Sequence, residues 1–176
     1  MAAVASGGSE PERHHTATAY IVSDGRTLLL WHSRLRMWLP PGGHCESNED
    51  PVQAAVREAR EESGLDVEVI APPDLLVCSG PRVLPPPAVI LVEDIVRDDQ
   101  PFHQHIDHVY FTEATEPVDF DAAIPHGIHR WVDATELAES FSLPAPDGTL
   151  VPVAEDVRLL GIRAIAAAAA RGPARA

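Results

Sequence analysis

The chain has 176 residues, enough for one well-packed core and short of the length at which a second full domain becomes usual. Its formal charge of −14 repels nucleic-acid polymers and anionic lipid, and no basic patch stands out to overcome that field. All 13 basic residues are arginine, so the lysine needed by a Schiff-base enzyme or a Walker-type phosphate loop is missing.

Cys45 and Cys78 lack the spacing of a disulfide framework or a four-cysteine zinc site, which fits a reduced compartment. No stretch approaches the roughly 18 uninterrupted apolar residues of a membrane span, and Met1–Arg13 is no signal peptide. The expectation is a soluble, cytoplasmic protein with no membrane partner and no nucleic-acid polymer partner.

Residues 1–13, small and polar, read as a disordered tail, and residues 14–172 as a single domain. Thr16–Val22 and Thr27–Trp31 are apolar, partly β-branched runs around Ser23-Asp24-Gly25-Arg26, a hairpin signal because Asp-Gly tolerates positive φ. Trp38-Leu39-Pro40-Pro41-Gly42-Gly43-His44 excludes an interior helix and reads as a strand entering a tight loop. Asp50 then suits an N-cap, Pro51 the first helical position and Gln53 a capping box, predicting a helix over 51–63 that Gly64 stops.

Farther on, Val67–Ile70, Leu75–Ser79, Ala88–Val96, His105–Thr112 and His129–Val132 read as strands between proline-rich or acidic loops. Thr135–Ser140 reads as a short helix, and the Ala-rich segment Val153–Ala170 as a terminal helix. The fold class is therefore α/β, a mixed β-sheet flanked by helices with a C-terminal helix.

In the central helix, Val52, Ala55, Val56, Ala59 and Ser63 form one stripe that faces the sheet. Glu58, Glu61 and Glu62 project from the opposite side within about a 100° arc, since residues three and four apart are neighbours. Glu-rich helix faces are commonly just solvated. Three carboxylates in one small volume nevertheless repel, and a hard divalent cation such as Mg²⁺ or Mn²⁺, which also binds phosphates, offsets that repulsion.

The flanking residues sharpen this. From Gly43 the pattern runs through Glu49 to Arg57-Glu58-Ala59-Arg60-Glu61-Glu62-Ser63-Gly64-Leu65, and over these 23 positions it resembles the signature of the Nudix hydrolase family. One position departs: Ala59 stands where the family carries a bulky aliphatic residue, which bears on packing more than on chemistry. The resemblance is tight over this box, Gly43–Leu65, and looser from His15 to Ser140.

The resemblance implies an α/β/α sandwich and a hydrolase that cleaves a phosphoanhydride bond. The substrate the resemblance implies is a nucleoside diphosphate-linked small molecule or a nucleoside triphosphate. By position, Glu58, Glu61 and Glu62 look like ligands to Mg²⁺ or Mn²⁺, with Glu58, Glu61 and Arg57 the catalytic set and Glu58 a candidate base toward water. Arg57 looks like the partner of box carboxylates such as Glu49, and Gly42, Gly43 and Gly64 like the glycines that shape the phosphate loop and the helix end. Pro81, 16 residues past the box, has the spacing of a proline found in some family members acting on ADP-ribose, although prolines are frequent here.

Outside the box, His103, His105 and Asp107 alternate onto one side of a strand. His105 and Asp107 are the candidates for substrate contact or assistance to the base. Zinc ligation is the rarer outcome for two-apart histidines, and no fourth ligand is evident. Trp31 and Trp38 read as core or rim residues before stacking platforms. A non-catalytic Nudix-fold sensor or regulator of a nucleotide metabolite is the alternative, disfavoured because every box carboxylate is kept. Many relatives are dimers, so a homodimer is the possible assembly, although no feature marks an interface.

Overall fold

The computed structural model describes residues 10–139 and 142–171. Strand β1 (Glu12–Ser23) opens the fold, so Glu12 and Arg13 of the expected tail are already paired, and residues 1–9 lie outside the described residues. Strands β2 (Arg26–His32), β3 (Met37–Leu39) and β4 (Gly42–His44) precede helix α1 (Pro51–Ser63). Then follow β5 (Val67–Val69), β6 (Val89–Arg97), β7 (Gln100–Ala114), β8 (His129–Asp133) and the short helix α2 (Ala134–Ala138). A small hairpin, β9 (Ser142–Pro144) and β10 (Leu150–Pro152), leads into α3 (Glu155–Arg171).

Among the described residues, strands β1 to β8 form one mixed sheet with the central order β3-β2-β1-β7-β5, while β4 pairs with β1, β6 with β7 and β8 with β2. The pairing of β1 with β7 is parallel, from Glu12 opposite His103 to Val22 opposite Glu113. The β1–β2 hairpin turns where the sequence indicates: Asp24 and Gly25 both take positive φ, 44° and 74°, the geometry of a two-residue turn whose twist matches the strands.

Alternation along the strands feeds two cores. Ala17, Ala19 and Ile21 of β1, with Leu28 and Leu30 of β2, face α1. Tyr20 and Val22, with Leu29 and Trp31, face α2 and α3. The sheet is thus covered on both sides, which gives the α/β/α sandwich and explains why β2 reads as a continuous apolar run. On the α1 side the small residue at 59 has a physical reason: Ala54, Ala55 and Ala59 are fully buried against Ala17 and Ala19, a close approach of helix to sheet that a larger side chain would widen. The sequence stripe missed Ala54.

Helix α1 carries its expected signals. Asp50 accepts from the Gln53 backbone N–H at 3.0 Å while the Gln53 side chain accepts from the Asp50 N–H at 3.0 Å. Gly64 ends the helix at φ 75°, in the left-handed region, its N–H donating to the Arg60 carbonyl.

One expected strand does not form. Leu75–Ser79 carries no strand pairing, with Leu76 and Val77 67% and 89% exposed, because β5 and β6 already pair with β7. The β9–β10 hairpin was not foreseen. The short helix forms at Ala134–Ala138, and Ser140 of the expected span lies outside the described residues.

Candidate active site

Arg57 organises the carboxylates. Its Nε donates to Glu49 Oε1 at 2.7 Å and one terminal nitrogen, NH2, to Glu49 Oε2 at 3.0 Å, a bidentate pair. The other, NH1, donates to Glu58 Oε1 at 2.7 Å and Glu61 Oε2 at 3.1 Å, and NH2 also reaches the His44 carbonyl at 3.0 Å. The guanidinium therefore spans the strand before the loop, the loop and the helix. Hydrogen bonding to Arg57 holds the Glu49 carboxyl below its ordinary range, and the same contacts raise the arginine, which stays charged throughout.

The glycines before the helix are required by the approach of two glutamates. A Cβ on Gly43 would collide with the Glu58 carboxylate, and one on Gly42 would stand 2.9 Å from the Ala17 carbonyl oxygen. The Gly42 N–H donates to Glu62 Oε2 at 3.1 Å. His126 meets the same side chain, with Nδ1 3.4 Å from Glu62 Oε1 and its backbone N–H on the Glu62 carbonyl at 3.0 Å. Burial raises the Glu62 carboxyl above its usual range; the Gly42 N–H and His126 oppose this, and Glu58 and Glu61 add to it. Three carboxylates, Glu49, Glu58 and Glu61, thus meet around one guanidinium, and Glu62 is held on the same helix by Gly42 and His126; the cluster carries excess negative charge on hard oxygens and suits a divalent cation of the Mg²⁺ kind.

Across β4 from this cluster lies a cavity of about 550 Å³, reached between the sheet and α3. Gly42, Gly43 and His44 form part of its wall, with Tyr20, Leu91, Glu93, Val109, Asp156 and Leu160 deeper in. His105 and Asp107 also line it, on the same face of β7 as His103. Neither bonds to a box carboxylate. Asp107 is buried, accepts from the Thr16 hydroxyl at 2.9 Å, and is raised by that burial, with Thr16, Thr18 and His108 opposing. Burial, then His44, His103 and His14, lower His105 to about 4. The link from this wall to the cluster is His44: its ring lies edge-on to His105 with centroids 4.8 Å apart, and its carbonyl accepts from Arg57.

Sequence reasoning missed His14, His44 and His126, which become neighbours of the site only through pairing and loop closure. His14 alternates in phase with Thr16 and Tyr20, the one signal that pointed to the pocket side. Trp31 and Trp38 are buried core residues with rings 5.5 Å apart, and Pro81 sits exposed in the loop before β6, outside the cavity lining.

Comparison with known proteins agrees with this geometry. The family model described as the NUDIX domain matches residues 12–153. The chain is 26% identical over 149 residues to Phosphatase NudJ of Escherichia coli K12, covering 82% of this chain and 81% of that protein. A hydrolase of the NUDIX family from Clostridium perfringens superposes with a TM-score of 0.66 at 29% identity, over 88% of this chain and 97% of that one. A MutT protein from Methanosarcina mazei Go1 shares the fold with a TM-score of 0.54 at 18% identity, over 89% and 97% of the two chains.

Proposed function

Because this chain belongs to the Nudix family and is an enzyme of the pyrophosphohydrolase type, we propose that it hydrolyses a phosphoanhydride bond in a nucleoside diphosphate-linked small molecule or a nucleoside triphosphate, with Mg²⁺ or Mn²⁺ held by Glu58, Glu61 and Glu62. The observation that carries this is the convergence of Glu49, Glu58 and Glu61 on Arg57, with Glu62 held beside them by the Gly42 N–H, across a two-glycine strand from a nucleoside-sized cavity. A bound divalent ion supplies charge neutralisation of the phosphates and activation of water.

The chain's own groups do the rest. Arg57 fixes Glu49 and Glu58 in one orientation, and the Gly42 N–H fixes Glu62. Arg57 engages Oε1 of Glu58, which leaves Oε2 to take the proton of the attacking water. Glu93, Asp107 and Asp156 line the cavity as acceptors, suited to the amino groups of a base and the hydroxyls of a ribose, while Arg34 and Arg97 line the same cavity as cations. On this reading the diphosphate lies at the box and the nucleoside in the cavity.

The experiment incubates the protein with Mg²⁺ and a panel of nucleoside triphosphates, ADP-ribose and nucleotide sugars, and assays phosphate, pyrophosphate and nucleoside monophosphate. At least one substrate is turned over, EDTA abolishes turnover, and Glu61→Gln and Glu62→Gln each lower kcat by orders of magnitude with the fold retained. Full activity in both variants or in EDTA would falsify the assignment, and tight binding without product would favour a sensor.

A further inference from the structure

We propose that His14, His103 and His105 form a second metal site, separate from the box carboxylates, that takes one divalent ion of the Zn²⁺ class. Each of the three rings offers a nitrogen, and these nitrogens lie within 4.8 Å of one another. The parallel register puts His14 directly opposite His105, and His103 projects from the same face of β7 two residues earlier. Ring centroids are 4.8 Å apart for His14 and His103, and 5.1 Å for His103 and His105.

Two further observations point to an ion rather than to packed rings. His105 Nε2 is buried and has no hydrogen-bond partner, a costly condition that coordination removes. The His103 Nδ1 atom lies 3.0 Å from the Pro101 carbonyl oxygen, so it holds the proton and leaves Nε2 with a free lone pair. A backbone acceptor on the second nitrogen is the arrangement that orients metal-ligating histidines. The Glu12 carboxylate, 3.2 Å from His14 Nε2, adds negative charge beside the cluster.

Imidazole nitrogens select borderline ions such as Zn²⁺ and Co²⁺ over Mg²⁺, which prefers oxygen. Tetrahedral coordination at about 2.0–2.1 Å sets ligand nitrogens about 3.3 Å apart, so the rings close by up to about 1.5 Å through side-chain rotation. Three protein ligands leave a coordination position open, and these residues line the cavity, so that position faces whatever the cavity holds.

The test measures Zn²⁺ by mass spectrometry and calorimetry on tag-free, EDTA-stripped protein, with Co²⁺ absorption as the spectroscopic readout. In excess Mg²⁺, which fills the carboxylate cluster, the wild type is expected to bind one equivalent of Zn²⁺, and Co²⁺ to give the visible ligand-field bands of low-symmetry nitrogen coordination. His103→Gln and His105→Gln each weaken binding by on the order of 100-fold or more, whereas Glu61→Gln leaves it unchanged, so failure here is distinguishable from failure of the hydrolase assignment. If a variant does not fold, carbethoxylation of the wild type provides the second measurement, with Zn²⁺ protecting His103 and His105. Unchanged Zn²⁺ affinity in folded His105→Gln, no Zn²⁺ binding by the wild type, or no protection overturns the proposal.

Discussion

Arg57 holds Glu49 through two parallel hydrogen bonds, 2.7 and 3.0 Å, across the whole loop that separates them in sequence. Both side chains are mostly shielded, 23% and 13% exposed, so the pair works as a brace and not as a surface salt bridge. Lysine has a point charge and no planar fork, and cannot bond Glu49, Glu58, Glu61 and the His44 carbonyl together. Arg57→Lys is expected to lower kcat about 100-fold and stability by about 1.5–3 kcal/mol, read by steady-state kinetics and denaturant unfolding.

Gly43→Ala inserts a methyl group where the Glu58 carboxylate lies, while the strand it belongs to has ordinary backbone geometry. The fold should therefore survive and the carboxylate should move. The expected outcome is a loss of kcat of about 10- to 100-fold, since an ångström of misplacement at a reacting group has that order of effect. A wild-type rate in a folded Gly43→Ala protein would show that Glu58 does not need its present position.

At Gly64 the cost is conformational. Its φ of 75° and a Cβ position 3.3 Å from Pro125 Cδ both disfavour a side chain. Gly64→Ala is expected to destabilise by about 1 kcal/mol, or roughly 2–4 °C in Tm, with activity kept within a few-fold at temperatures well below the transition.

Asp107 lies in the cavity and touches no box carboxylate, so its loss should be felt in binding. Asp107→Asn is expected to raise KM about tenfold, the value of one hydrogen bond to a charged group, with kcat nearly unchanged. A fall in kcat at constant KM would instead move Asp107 into the chemical step.

Acid should loosen the fold through its histidines. Burial, then the His15 ring 3.0 Å from its Nε2, lowers His108, with Asp107 opposing. A native value below the unfolded 6.5 means the folded state prefers the neutral ring. The associated stability is complete above about pH 6.5 and is lost as pH falls from there through the lowered native value. His32, His44 and His105 are displaced in the same direction. Tm in EDTA should fall between pH ~7.5 and ~5, a window spanning the unfolded histidine range, and His108→Gln should flatten part of that fall.

The box was legible because its signals are local. The capping box, the glycine stop and the 3.6-residue period fix α1 within one stretch of chain, and the spacing of Glu58, Glu61 and Glu62 puts them on one side of it. The β1–β2 turn was readable for the same reason. The cavity was not, because its walls come from β1, β2, β3, β4, β6, β7 and α3, and no short-range rule states that β1 runs parallel to β7 with His14 opposite His105. Leu75–Ser79 shows the converse failure: its composition favours a strand, but β7 has no free edge to receive it.

The parallel pairing of β1 with β7 also sets an order of assembly. Residues 12–22 find their β7 partners only when 103–113 exist, a loop closure across about half of the chain. During synthesis the hairpin and α1 emerge early and can form from neighbours in sequence, whereas the central ladder must wait. Until then β1 has an unpaired edge and an apolar face, so the step that completes the cavity is also the step at which a slowed or truncated chain is most exposed to aggregation.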